Sequence, residues 1–387
     1  MVETMEKDNK PMRLLVHAPL GVGGVSNLML DIQKSIDRNE INFDYLVFHD
    51  QIEPQEKTAF DMGSKKLIAS ADNVNFKPLR GLIRLFKIRR VCKKNKIKIF
   101  HFNGGAPLGF LTMLAAKLGG VKWITFHSHN GGMNRQGVLA KILSAVCKPL
   151  LKFVVNDYWA CSSIAAKFSF PSRIVKNKDY YFMPNAIQLD KYKYNQKVRQ
   201  MVREELGLKD KFIIGHAGRF NFQKNHTFLI DIFAEIRKKD NDAVLLLLGT
   251  GDLLDEIKNK VNKMGLNDSV KFCGSSDEME KMYQAMDVFL MPSHFEGLPV
   301  TGVEAQASGL PIVFSDVITR EAAIAPNVEY ISLNASKDVW ADTVLKYRNY
   351  NRKDYCKELK DAGFAKEDMV EHFQSYYVKL GEKLGIK

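Results

Sequence analysis

Short apolar runs alternate along this chain with longer segments in which apolar and polar residues mix at helical spacing. RLLVHAP, starting at Arg13, has the length of one buried strand, LGVGG after it reads as a glycine loop, and VSNLMLDIQKSI repeats apolar positions every three or four residues. FDYLVF predicts a second strand, and IKIFHFNGG and KWITFHSHNGG predict strands that run into glycine-containing loops. The second half repeats the rhythm. FIIGHAGRF, AVLLLLGTGD, VKFCG and DVFLMPS read as strands with their following loops, separated by the helical patterns HTFLIDIFAEIRKK, LLDEIKNKVNKM and EMEKMYQAM. Such alternation predicts parallel sheets covered by helices on both faces. Two such runs predict two doubly wound domains, residues 1–187 and 188–364, joined through YYFMPNAIQLDKYKY. The last segment, about 365–387, is helical in pattern and a candidate to pack back on the first domain. Each strand leads into a loop rich in Gly, His or Asn, and ligands of open α/β sheets bind beyond the strands' carboxyl ends.

With 387 residues and 45% hydrophobic composition, the chain can bury the cores of two domains. MVETMEKDNK lacks the basic-then-apolar order of a signal peptide, and AVLLLLG is far too short to span a bilayer, so a cytoplasmic location is expected. Cys92, Cys147, Cys161, Cys273 and Cys356 show no paired metal-ligand spacing and are odd in number, so neither a zinc site nor a disulfide framework is expected.

Charge divides the chain unevenly. Residues 1–187 hold 28 Lys or Arg against 14 Asp or Glu, and the remaining residues hold 29 against 30, so the net charge of +13 resides in the first half. Residues 80–98 carry nine cations and no acid. Leu82, Leu85, Phe86, Ile88 and Cys92 recur among them at helical spacing, which predicts an amphipathic helix with a basic outer face. A solvated face over a packed stripe is one reading; adhesion to an anionic membrane surface is the other. No zinc-finger, homeodomain or RNP pattern accompanies the charge, so a nucleic-acid partner is not expected.

Two stretches of the second half carry candidate chemistry. In FEGLPVTGVE, Glu296 and Glu304 flank a turn-prone loop after a strand, and Pro299 suits the first position of a helix. The amides of Gly297 and Leu298 would then form a helix N-terminus attractive to an anion, and Gly297 permits close backbone approach. Glu296 is suited to sugar hydroxyls, and Glu304 to the two hydroxyls of a cis-diol such as ribose. In GHAGRFNFQKN, Gly218, Arg219 and Lys224 occupy another strand-to-helix loop, where a diphosphate would need cations.

GRFNFQKN, followed about seventy residues later by SHFEGLPVTGVEAQASGLPIVFSD, resembles the retaining glycosyltransferases of family 4, which share the GT-B fold of two Rossmann-like domains facing a cleft. GVGG, MPNAI, LLLLGTGDLLDEIK, VKFCGSSDEMEKMYQAMDVFLMPS and ITFHSHNGG extend the resemblance over most of the chain, and QKNHTFLI with HSHN looks most like bacterial exopolysaccharide and capsule enzymes. By that resemblance Arg219 and Lys224 hold the donor diphosphate, Glu304 the ribose, and Glu296 with the Gly297 and Leu298 amides the transferred sugar. Gly23 and Gly24 approach the phosphates from the other domain, His127 reaches the sugar, and His129 is a candidate for the acceptor pocket. Two departures stand out: NAIQ replaces the Asn-Gly-Ile-Asp of many relatives, and Ser26 stands where many carry an acid.

The resemblance implies transfer of a hexose or N-acetylhexosamine from a UDP-sugar to a saccharide or lipid-linked saccharide during surface polysaccharide synthesis. Anomeric configuration would be retained. No cofactor beyond the nucleotide-sugar co-substrate is expected, and no Asp-x-Asp strand end suits Mg²⁺. Peripheral contact with the cytoplasmic membrane's inner face through residues 80–98 is also expected. The alternatives are a non-catalytic transferase-like partner subunit and a sugar-nucleotide epimerase. A dinucleotide-dependent oxidoreductase fits poorly, since Ser26 replaces the third glycine of GVGGVS and Asp44 lies inside a predicted strand.

Overall fold

The computed structural model describes residues 11–21, 23–105, 108–129 and 138–386. Val22 of the GVGG loop and residues 130–132 of HSHNGG therefore lie outside the described residues, as does the N-terminal decapeptide. The chain divides into two compact units, one comprising residues up to Met183 together with the segment from Glu367, the other Pro184–Lys366.

The first unit is built on seven parallel strands: β1 (Met12–His17), β2 (Ile41–Val47), β3 (Lys66–Ile68), β4 (Ile99–Gly104), β5 (Trp123–Ser128), β6 (Asp157–Ala160) and β7 (Tyr181–Phe182). Their order is β3-β2-β1-β4-β5-β6-β7, so the direction of winding reverses between β1 and β4. The second unit holds six parallel strands: β8 (Phe212–Ala217), β9 (Ala243–Leu248), β10 (Val270–Phe272), β11 (Val288–Met291), β12 (Ile312–Ser315) and β13 (Val328–Ile331). Their order β10-β9-β8-β11-β12-β13 places the reversal between β8 and β11. A central strand covered on both faces has no polar side, which is why β9, AVLLLL, is buried at all six positions.

Several elements depart from the expected pattern. Part of the stretch expected as a linker is ordered into β7, paired with β6, and the helix Leu189–Tyr192. β3, β6, β7, β12 and β13, all short, were not marked by periodicity. The basic stretch forms the helix Lys77–Lys94, but only Ile88 and Cys92 of its apolar positions are fully buried, while Leu82 and Phe86 are exposed. The final helix, Lys366–Lys383, covers the first sheet: Tyr377 Oη lies 2.6 Å from His101 Nδ1, and Phe373 packs on Trp159. Asp44 sits in β2, ion-paired to Arg13 and accepting the Lys65 amide at 2.9 Å, so it is occupied by the fold. All five cysteines are free thiols.

Candidate functional site

Where winding reverses in a doubly wound sheet, the loops leaving neighbouring strands diverge and open a crevice at their carboxyl ends. In the second unit those loops follow β8 and β11. The first begins at Gly218, whose N–H donates to Leu248 O at 2.9 Å. It rests on the loop after β9, backbone against backbone. Gly249, at φ +134°, has no room for a side chain, because a Cβ there would lie 2.1 Å from Gly218 O. Phe220 N–H donates to Thr250 O at 2.9 Å, and Leu253 N–H returns to Phe220 O at 3.0 Å. Asn221 then caps a 3-10 turn, Phe222–Lys224, by accepting the Lys224 amide at 3.2 Å. A Cβ on Gly218 would lie 2.8 Å from Lys224 Cε, so the lysine stem lies against this glycine.

The loop after β11 is tied to the first. Asn225 donates to Pro292 O at 3.0 Å, His294 N–H donates to Gln223 O at 2.8 Å, and the His294 ring stacks on Phe222 at 4.4 Å. Desolvation lowers the His294 pKa. Lys224 Nζ reaches Glu296 Oε1 at 2.8 Å, and Gln223 Nε2 donates to Glu296 Oε2 at 3.0 Å. The structure thus brings Lys224 and Glu296 together as a largely buried ion pair, their side chains 14% and 7% exposed. An ammonium has three donors, so Lys224 can keep Glu296 and still bind an anionic oxygen. Arg219, in the same loop, is exposed and has no ion-pair partner among the described residues.

The helix after FEGLP spans Val300–Ala307, with Pro299 at the N-cap and not, as expected, at the first helical position. The shift is one residue, and a proline costs no hydrogen bond at either place. The first helical-type bond is Gly302 N–H to Pro299 O at 2.9 Å, and the amides of Gly297, Leu298, Val300 and Thr301 have no acceptor among the described residues. Leu298 contributes its side chain to the core. The buried hydroxyls of Ser293 and Thr301 are likewise without a partner among the described residues. Four amide donors and two hydroxyls therefore remain available around one helix start.

Glu304, further along that helix, is held from two sides. Tyr192 Oη donates to Oε1 at 3.0 Å and Tyr283 Oη to Oε2 at 2.7 Å. Burial raises the Glu304 pKa above its ordinary value, with the two tyrosine bonds opposing the shift. Each carboxylate oxygen accepts two hydrogen bonds, so one direction on each remains for a diol. Gln223, Tyr192 and Tyr283 carried no sequence signal, because their partners lie 73, 112 and 21 residues away.

In the first unit Gly23 caps the helix Gly24–Ser35 in extended conformation, and a Cβ on Gly24 would meet nothing within 4 Å. The fold itself does not require glycine at Gly24, and the space beside it stays open. Ser26 is buried. His127, on β5, is fully buried: its Nδ1 lies 3.3 Å from His101 Nε2 and its ring 3.9 Å from that of His129. Desolvation, then the two neighbouring histidines, push its pKa well below the ordinary value, so it is neutral at pH 7. His129 Nε2 lies 2.7 Å from Asn103 Oδ1.

Residues 198–363 match the family described as Glycosyl transferases group 1. Arg219, Lys224, Glu296 and Glu304 all fall within that span. The second unit is a glycosyltransferase group 1 domain. Over 97% of this chain and 99% of the relative, the chain is 28% identical to a Bacillus subtilis (strain 168) protein named as the glycosyltransferase EpsF. It is also 28% identical, over 62% of each chain, to the Escherichia coli UDP-Gal:alpha-D-GlcNAc-diphosphoundecaprenol alpha-1,3-galactosyltransferase. Among solved structures, Anabaena HepE in complex with UDP superposes with a TM-score of 0.70 at 16% identity, over 96% of this chain and 99% of that one. WaaG, a glycosyltransferase involved in lipopolysaccharide biosynthesis, gives 0.63 at 13% identity, over 94% and 95%. The chain has the GT-B fold, two α/β units with parallel sheets.

Proposed function

We propose that this glycosyltransferase moves a hexose or N-acetylhexosamine from UDP to a saccharide or lipid-linked saccharide, with retention of configuration, in the synthesis of a surface polysaccharide. The observation that carries the reading is the loop pair after β8 and β11, which collects Arg219, Lys224, Glu296 and the unbonded amides of Gly297 and Leu298. UDP and a lipid diphosphate acceptor are favoured because HepE was solved with UDP and UDP-glucose, and the E. coli relative is named for UDP-Gal and a diphosphoundecaprenol acceptor.

As the glycosidic bond to phosphate breaks, the leaving diphosphate gains negative charge and the sugar ring gains positive charge. Arg219, Lys224 and the amides oppose the first, and because that charge is larger in the transition state than in the ground state, they lower the barrier. Glu296, held by Lys224 and Gln223, binds sugar hydroxyls, and Glu304 binds the ribose diol. In the first unit, His127 is fully buried against His101 and His129 and presents no surface to a sugar, whereas the space beside Gly24 is open. The acceptor attacks from the face the phosphate leaves, and a phosphate oxygen takes its proton, so no protein nucleophile is used. Arg219 and Lys224 supply the charge a divalent ion would, and transfer should proceed in EDTA.

The protein works at the inner face of the cytoplasmic membrane, meeting anionic lipid through residues 80–98, and no helix among the described residues is long and apolar enough to cross it. The test is nucleotide release from a panel of UDP-, GDP- and ADP-sugars. UDP-sugar consumption that falls at least about 30-fold in Arg219→Ala, from ~2 kcal/mol per lost preorganised donor, supports the reading. Consumption of none of the donors, with or without acceptors, would overturn it.

A further inference from the structure

Residues 73–156 contain sixteen Lys or Arg and not one Asp or Glu. That span includes the helices Lys77–Lys94 and Leu108–Leu118, which pack against each other. They meet at Gly119, where a Cβ would lie 2.7 Å from Cys92 Cβ and 2.8 Å from Arg89 O, and Arg89 Nε donates to Leu118 O at 3.3 Å. Two adjoining depressions share this junction. One, of about 270 Å³, is lined by Arg89, Lys93, Lys96 and Lys98. Among the described residues none of these four has an ion-pair partner. The other, of about 240 Å³, is apolar and lined by Leu82, Leu85, Phe86, Leu111, Leu114 and Leu118, with Arg89 at the shared wall. Phe86 is 63% exposed and Leu82 55%, on a helix whose Ile88 and Cys92 show none of their surface, and Leu118 at the end of the facing helix is 63% exposed.

Cations near a helix C-terminus have an ordinary explanation in the macrodipole. It does not account for a groove of exposed leucines and a phenylalanine opening beside them. A ligand that satisfies both depressions must carry an anionic head and an apolar tail on one molecule. We infer that this junction seats one anionic phospholipid of a bilayer. Its phosphate lies among Arg89, Lys93, Lys96 and Lys98, and an acyl chain lies along the leucine groove between the two helices. This deepens the membrane contact proposed above, and rests on it, by replacing a diffuse charge attraction with a lipid-sized seat.

The experiment is sedimentation of the full chain with vesicles of phosphatidylcholine alone and of phosphatidylcholine with phosphatidylglycerol, in low and high salt. Binding confined to the anionic vesicles, with a fraction that survives high salt, is the expected result. Lys93→Gln/Lys96→Gln/Lys98→Gln should weaken it about a hundredfold, at about fivefold per near-surface charge. Leu82→Ser/Phe86→Ser, which alters only exposed side chains, should remove the salt-resistant fraction and weaken binding about tenfold or more. Equal binding to both vesicle types overturns the seat and the membrane contact together. Binding that Leu82→Ser/Phe86→Ser leaves unchanged overturns the seat and leaves the charge contact standing. Release from vesicles by inorganic phosphate also overturns the lipid seat, in favour of a free-phosphate site. UDP binding by calorimetry should be unchanged in both variants, and its absence in the parent protein is a failure of the transferase reading alone.

Discussion

Glu296 has two partners of its own, Lys224 Nζ at 2.8 Å and Gln223 Nε2 at 3.0 Å. Lys224→Ala would leave that carboxylate buried beside a single neutral donor, so it should lose stability as well as activity, whereas Arg219→Ala should lose activity alone. Parallel melting curves and donor-consumption rates separate the two. Glu304 offers a test by pH. Its pKa is raised by burial, so its ionisation costs folding stability, and that cost is absent below the ordinary value of 4.5 and appears as pH rises through the folded value. Glu304→Gln should therefore gain stability relative to the parent protein at pH 7, with the difference closing as pH falls toward 4.5, while UDP affinity drops at least tenfold at pH 7 because one acceptor becomes a donor. A stability difference that widened on acidification would contradict this. Arg219, Lys224, Glu296 and Glu304 stand out as candidates from residue type and loop position alone. Their partners do not, since nothing local marks Tyr192 as the neighbour of a carboxylate 112 residues on.

At the scale of elements, the site depends on loops that can touch because glycine removes the side chain between them. Gly249→Ala would place a methyl 2.1 Å from Gly218 O at a φ of +134°, and both the clash and the strain fall on backbone that cannot rotate away. The loop after β8 should shift, costing about 1–3 kcal/mol of stability and more than tenfold in UDP affinity, measurable by urea unfolding and calorimetry. The sequence marked both loops through their glycines and asparagines but not that one rests on the other. Short elements were the least legible. β7 is two residues long, and its place in the sheet comes from pairing with β6, which no local pattern encodes. The basic helix was visible in its spacing, yet spacing cannot say which apolar positions find a core, and Leu82 and Phe86 find none.

Across the whole molecule, several histidines are buried and neutral. Desolvation lowers His101 to about 3 and His226 to about 4, and pushes His127 and His216 well below the ordinary 6.5. A depressed pKa means the unfolded chain takes up protons first, so stability is full above pH 6.5 and is lost as pH falls toward the folded values. Unfolding in urea should show the second unit losing about 3 kcal/mol to His226 alone by pH 4, and His226→Phe, stacked on Phe220 without the unpartnered ring nitrogens, should flatten that slope. The sequence by itself determined the class of fold, because alternating strand and helix periods have one economical solution in parallel sheets, and it determined the chemistry on offer, because charge and glycine content are properties of residues. Only the tertiary structure decided which groups are paired, which stay open, and which apolar side chains remain uncovered. Those outcomes depend on contacts between residues distant in the chain, and local sequence carries no record of distance in space.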